Sequence, residues 1–218
     1  MKGYNSLKEK GLIQKNILTL VDFSLSSNTK RLWVIDLDSN TILFHSLVAH
    51  GRNTGEEYAN SFSNTNSSYK SSLGFYLTGE VYNGKHGMSL KLDGLEKGVN
   101  DNARQRGVVM HSADYVSNNF IKQNKRLGRS QGCPAIPEEL LKGIVSTIKN
   151  KSCFFIYHPS RIYKSSSRSS LLLIKTSFDL SAKFLNSLSL EFFSIVSNIK
   201  IWFLISFSKV VLQNLTWL

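Results

Sequence analysis

The chain has 218 residues, 41% of them hydrophobic and 11% aromatic, which suits one globular domain with a sizeable core. A formal charge of +12 favours an anionic partner, but the basic residues are scattered. The longest cluster (Lys122, Lys125, Arg126, Arg129) lacks the interleaved aromatics of a nucleic-acid platform, so nucleic acid is not the expected partner. Two cysteines are too few for a disulfide framework, although arithmetic permits one Cys133–Cys153 bridge. No CxxC or Cys/His spacing suggests a structural zinc.

The opening MKGYNSLKEKGLIQKNILTLV does not read as a cleavable export signal, because Gln14, Lys15 and Asn16 interrupt its apolar run. Residues 1–14 are set apart as an N-terminal segment, and the main domain is expected over 15–164. RLWVIDLDSNTILFHSLVAHG (31–51) predicts two strands around the turn Asp38-Ser39-Asn40. The Ser- and Asn-rich stretch 52–72 predicts a long loop of the functional or mobile kind. LGFYLTGEVY (73–82) and HGMSLKLDGL (86–95) predict a hairpin turning at Asn83-Gly84. A polar connection (96–107) leads to the short apolar strand GVVMHS (107–112), and ADYVSNNFIKQ carries a weak helical period. Pro137, Glu138 and Glu139 predict a helix start, with Leu140, Leu141, Ile144, Val145 and Ile148 along one face. SCFFIYH (152–158) predicts a buried strand with Cys153 as a core thiol.

From Ser165 onward the composition changes to Ser, Leu, Phe, Ile and Lys without Gly or Pro. Lys200 and Lys209 break any apolar run of the roughly 20 residues that a membrane span needs. The tail, 165–218, is given no role beyond a helical option that would allow membrane-surface contact.

The chemistry is expected in GRSQGCPAIP (128–137), which holds one of two cysteines and two of three prolines. A thiol attacks as thiolate, and a free cysteine ionises near pH 8.5, so it needs a base. His111 ends a strand 22 residues before Cys133 and is followed by Ser112. Gly132 removes side-chain bulk beside the sulfur, backbone amides there can hold an oxyanion, and the prolines stiffen the exit. The plain alternative is that Cys133 is a small buried hydrophobe in a turn and His111 a hydrogen-bonded strand residue. His50 and His158, both at strand ends, are equally good partners on pattern alone.

His111-Ser112 followed by Ser130-Gln131-Gly132-Cys133 resembles the signature of the L,D-transpeptidase catalytic domain (YkuD-type), and the resemblance runs from about Leu32 to Tyr157. It implies a mainly β, sandwich-like fold with one or two short helices. It also implies attack by Cys133 on peptidoglycan stem tetrapeptides, with His111 as base and the Ser112 carbonyl orienting its ring. The amides of Gly132, Cys133 and Gln131 would hold the oxyanion, and Ser130 and Arg129 would meet substrate. No metal or organic cofactor is implied. The partners would be a donor and an acceptor stem, joined by a 3–3 cross-link in the periplasm or at the cell surface. That location requires an export signal preceding this chain. The family commonly has His where this chain has Gln131, and Arg or Asn close after the cysteine, where this chain has Pro134. Hydrolysis of the same thioester, making an L,D-carboxypeptidase, and a non-catalytic wall-binding module are the rival expectations.

Overall fold

The computed structural model describes residues 2–160; the tail lies outside them. Eight strands form one sheet: β1 (Ile17–Asp22), β2 (Leu32–Asp36), β3 (Thr41–Ser46), β4 (Gly74–Gly84), β5 (Gly87–Gly94), β6 (Val109–Ser112), β7 (Ala135–Ile136) and β8 (Cys153–Tyr157). Among the described residues three helices accompany it: α1 (Lys2–Glu9), α2 (Asn118–Asn124) and α3 (Glu138–Ile148). The strand order is β3-β2-β1-β8-β4-β5-β6-β7. The fold is mainly β, as expected.

β8 sits mid-sheet, parallel to β1 and antiparallel to β4. Residues Cys153 to Ile156 are all buried, so its sequence CFFIY is a continuous apolar run rather than an alternating one. Phe155 stacks on Phe75 at 4.2 Å, and Phe154 meets Tyr76 edge-on. α3 packs against β1 and β6 and buries Leu141, Ile144, Val145 and Ile148, at roughly 2 kcal/mol each. Its last turn is satisfied from the sheet side. The hydroxyls of Thr78 and Ser152 donate to the Ile148 carbonyl at 2.6 and 2.7 Å. Pro137 stands one residue before the helix, as its N-cap.

The sheet is curled until its two edge regions meet. Beyond β3 the chain continues to Ala49, whose N–H donates to the carbonyl of Ala135 in β7 at 2.8 Å, and Gly51 bridges to Ser130. One sheet closed on itself in this way stands where a sandwich was expected. The closure also carries the cysteine loop alongside the start of the 52–72 segment.

Three local outcomes differ from expectation. The hairpin turns at Lys85-His86 rather than Asn83-Gly84: Asn83 pairs with Met88 and Gly84 with Gly87, which takes φ +71°. β1 and α1 arise from the opening segment, which carried no predicted element. Tyr4 of α1 is buried and its hydroxyl donates to Asn16 Oδ1 at 3.2 Å, joining the helix to the sheet. Both cysteines are free, so the bridge that arithmetic allowed is absent: Cys153 is buried in β8 and Cys133 lies in a surface cleft.

His50 and Arg31 form a buried pair. The Arg31 guanidinium is fully buried and donates to the carbonyls of Val48 and Leu25 and, at 2.8 Å, to His50 Nδ1. A guanidinium only donates, so Nδ1 is the bare nitrogen, and Nε2–H donates to the Gly55 carbonyl. Burial, then the Arg31 charge, pushes the His50 pKa from 6.5 down to about 4. The folded protein therefore holds a neutral imidazole that the unfolded chain protonates below pH 6.5. This contribution is complete above pH 6.5 and is lost as pH falls towards 4, by about 3 kcal/mol in all. Denaturant titrations at pH 7 and pH 4 should show that loss, and His50→Gln should flatten it.

Candidate active site

β6 and β7 run parallel with His111 opposite Ala135 and Ser112 opposite Ile136. Cys133 stands two residues before Ala135, in the loop that enters β7. The fold thus brings the His111 strand and the Cys133 loop side by side. Cys133 is half-buried and lines a cleft of 510 Å³ with Arg129, Ser130 and Gln131, the residues just before it, and with Arg106, Val109 and Tyr115. Its thiol donates to the Gly107 carbonyl at 3.7 Å. Burial raises the Cys133 pKa above the ordinary thiol value, opposed by a backbone hydrogen bond from Val109 and by the Arg106 charge.

His111 is buried on β6, and its Nδ1 lies 2.8 Å from the Ser112 carbonyl. A carbonyl only accepts, so Nδ1 carries the proton and Nε2 keeps its lone pair. Burial lowers the His111 pKa from 6.5; the Ser112 carbonyl opposes this and the His86 charge adds to it. At neutral pH the resting pair is a neutral imidazole and a neutral thiol.

The loop holds its shape through Ser130 and Gly132. The Ser130 hydroxyl donates to the Cys133 carbonyl at 2.6 Å and accepts from the Gly132 N–H at 3.0 Å, so it is spent inside the loop. Gly132 has φ +124°, and a Cβ there would stand 2.8 Å from the Lys70 carbonyl. Its missing side chain makes room for that backbone rather than for a ligand, and its N–H is already committed. Gln131 is exposed at the cleft. Arg129 also faces the cleft but pairs with Glu56 at 2.5 Å and donates to the carbonyls of Arg52 and Gly55.

The other candidate bases are placed elsewhere. Both ring nitrogens of His50 are engaged as described above. His158 packs on Phe62 at 4.8 Å and accepts the Ser160 N–H. Spacing alone could not separate the three histidines; strand pairing brings the strand of His111 beside the cysteine loop.

Two cleft residues were missed from sequence. The Arg106 guanidinium donates to the carbonyls of Ser63 and Lys70 and to the hydroxyls of Ser68 and Ser72, tying the 52–72 segment to the cleft wall. Among the described residues no carboxylate reaches it. Its position in a polar connection carried no signal. His86 lines the cleft from the β4–β5 turn and stacks on His111. The hairpin was legible, but the two-residue shift of its turn hid which side chains reach the cleft. Lys85, His86, Arg106 and Arg129 line the cleft, and no Asp or Glu does so among the described residues. These residues also contain no group of three or more His, Cys, Asp or Glu side chains placed to hold a metal ion.

No curated protein matches the sequence. Among solved structures the chain is similar to an L,D-transpeptidase from Mycobacterium smegmatis, at 10% identity and TM-score 0.43, covering 66% of this chain and 59% of that one. It is also similar to the helical cell shape determining protein Pgp2 from Campylobacter jejuni, at 13% identity and TM-score 0.42, covering 70% and 54%. An L,D-transpeptidase from Stackebrandtia nassauensis matches at 14% identity and TM-score 0.40, covering 68% and 58%. The chain spans less than two thirds of each of these proteins. Residues 1–157 match the sequence profile of the L,D-transpeptidase catalytic domain. With that match running from the opening segment through β8, the chain belongs to the L,D-transpeptidase catalytic domain family.

Proposed function

We propose that the protein is a Cys133-dependent L,D-transpeptidase acting on peptidoglycan stem peptides. The observation that carries this reading is the state of His111: a neutral ring with Nδ1 held by Ser112 and Nε2 unprotonated, on the strand paired with the segment leaving Cys133. That is the form a general base requires.

In the proposed reaction the Cys133 sulfur attacks the carbonyl at the L-centre of the diamino acid in a donor tetrapeptide. His111 Nε2 takes the thiol proton. The Cys133 and Gln131 amides hold the oxyanion, since that of Gly132 is occupied. Collapse breaks the amide bond, and the imidazolium gives its proton to the departing D-Ala amine, leaving a thioester. The side-chain amine of an acceptor stem then attacks the thioester and loses a proton to His111. The sulfur leaves and is reprotonated, and a 3–3 cross-link remains. A cleft lined by four basic side chains and, among the described residues, by no acid suits stems that carry free carboxylates. Such chemistry belongs in the periplasm or at the cell surface. In this reading 15–164 is the catalytic unit.

Incubation with purified disaccharide-tetrapeptide, read by mass spectrometry, tests the proposal. Cross-linked dimer with release of D-Ala is expected. Tripeptide without dimer would make the enzyme a carboxypeptidase. Unchanged substrate would leave a wall-binding module.

A further inference from the structure

We infer that His86 is a positioning residue for His111: its ring, delivered by the β4–β5 turn, lies flat on the base and holds it in plane. This rests on the reading of His111 as the base. The two rings stack with centroids 4.5 Å apart and planes 18° from parallel. The partners differ in exposure. His111 is 3% exposed on β6, whereas His86 is exposed and lines the cleft.

The hairpin geometry makes the contact a product of the fold rather than of chance side-chain reach. Ser89 of β5 pairs in register with His111, and the Gly84–Gly87 pairing puts Lys85 and His86 at the tip, three residues earlier. His111 is then fixed along one edge by the Nδ1–H donated to Ser112 and across one face by His86. One hydrogen bond alone leaves an imidazole free to rock about that bond; a stacked ring removes the rocking and restricts water on that face.

The stack also acts on charge. Two stacked imidazolium rings repel, so a charge on His86 opposes protonation of His111. The other titratable and charged groups lining the cleft are Lys85 and Tyr82 of the hairpin, Arg106 before β6, Tyr115 after it, Arg129 and Cys133 of the cysteine loop, and Tyr69 of the 52–72 segment. None is a carboxylate that would draw a proton onto the ring. His86 therefore serves to orient the base, and its positive charge would add to the burial that already disfavours protonation of His111.

The test compares His86→Ala, which removes ring and charge, with His86→Phe, which keeps a flat ring without charge. His86 is at an exposed turn, so both should fold. For His86→Ala, kcat for dimer formation should fall about 10-fold with KM within about 2-fold of the parent, and His86→Phe should recover most of that loss. In both variants the His111 ring signals, followed by nitrogen-15 NMR, should titrate at higher pH than in the parent. Three results would overturn the inference: kcat unchanged in His86→Ala, a loss confined to KM, or His86→Phe as impaired as His86→Ala. Should the protein make no dimer at all, the proposed function fails and the NMR titration still decides this contact. An unchanged His111 titration in both variants would sink it.

Discussion

Cys133→Ala should lower dimer formation by at least about 10³-fold, to the level that substrate binding and oxyanion stabilisation supply without a nucleophile. The thiol makes only weak sulfur hydrogen bonds, to the Gly107 carbonyl and from the Val109 backbone, so its removal should leave the fold intact. The remaining cysteine cannot substitute. Cys153 is fully buried in β8, and burial pushes its pKa up to about 12. A carbapenem such as imipenem gives a second readout that needs no acceptor stem. Intact-mass spectrometry should show one covalent adduct on the parent and on Cys153→Ala, and none on Cys133→Ala. An adduct that persists in Cys133→Ala and disappears in Cys153→Ala would put the nucleophile in the wrong place.

His111→Gln should cost about 10²- to 10⁴-fold in kcat/KM, the range for losing a positioned base. The pH profile separates this from a packing defect. In the parent, His111 must be unprotonated and its pKa lies below 6.5, so activity should hold at neutral pH and decline only as pH falls below 6.5. In the variant that acid limb should vanish. Activity should instead climb with pH as the thiol ionises unaided, and because burial has raised the Cys133 pKa that climb should extend past pH 9. A variant that retains the parent's acid limb would show that another group is the base. His158 and His50 could then be examined, although His50 is already protonated only near pH 4.

The approach of the His111 strand to the Cys133 loop was only partly legible in the chain. β2, β3, β4, β5, β6 and β8 were readable because each is a short apolar or alternating run bounded by turn residues. α3 was readable because Leu141, Ile144, Val145 and Ile148 recur at helical spacing behind two acids. β1 was missed. Gln14, Lys15 and Asn16 interrupt the pattern just before it, and its burial comes from β2 and β8 on either side rather than from its own alternation. β7, two residues long, has no period to detect; it exists because β6 supplies its hydrogen bonds. The turn at Lys85-His86 was misplaced because Asn83-Gly84 is the stronger local signal, whereas the register is set by cross-strand pairing along the whole hairpin.

Composition and motif by themselves established a mainly β domain, a cysteine on a constrained loop, and a small set of histidines that could serve it. Tertiary structure alone set His111 apart, because a strand pair brings its strand beside the cysteine loop across 22 residues of separation while His50 is buried against Arg31. It also decided that Gly132 yields to the Lys70 backbone, that Ser130 is spent within its own loop, and that Arg106 and His86 stand at the cleft. Except for the Ser130 contacts, which are local, these depend on distances between segments remote in sequence, and such distances come into being only when the chain folds.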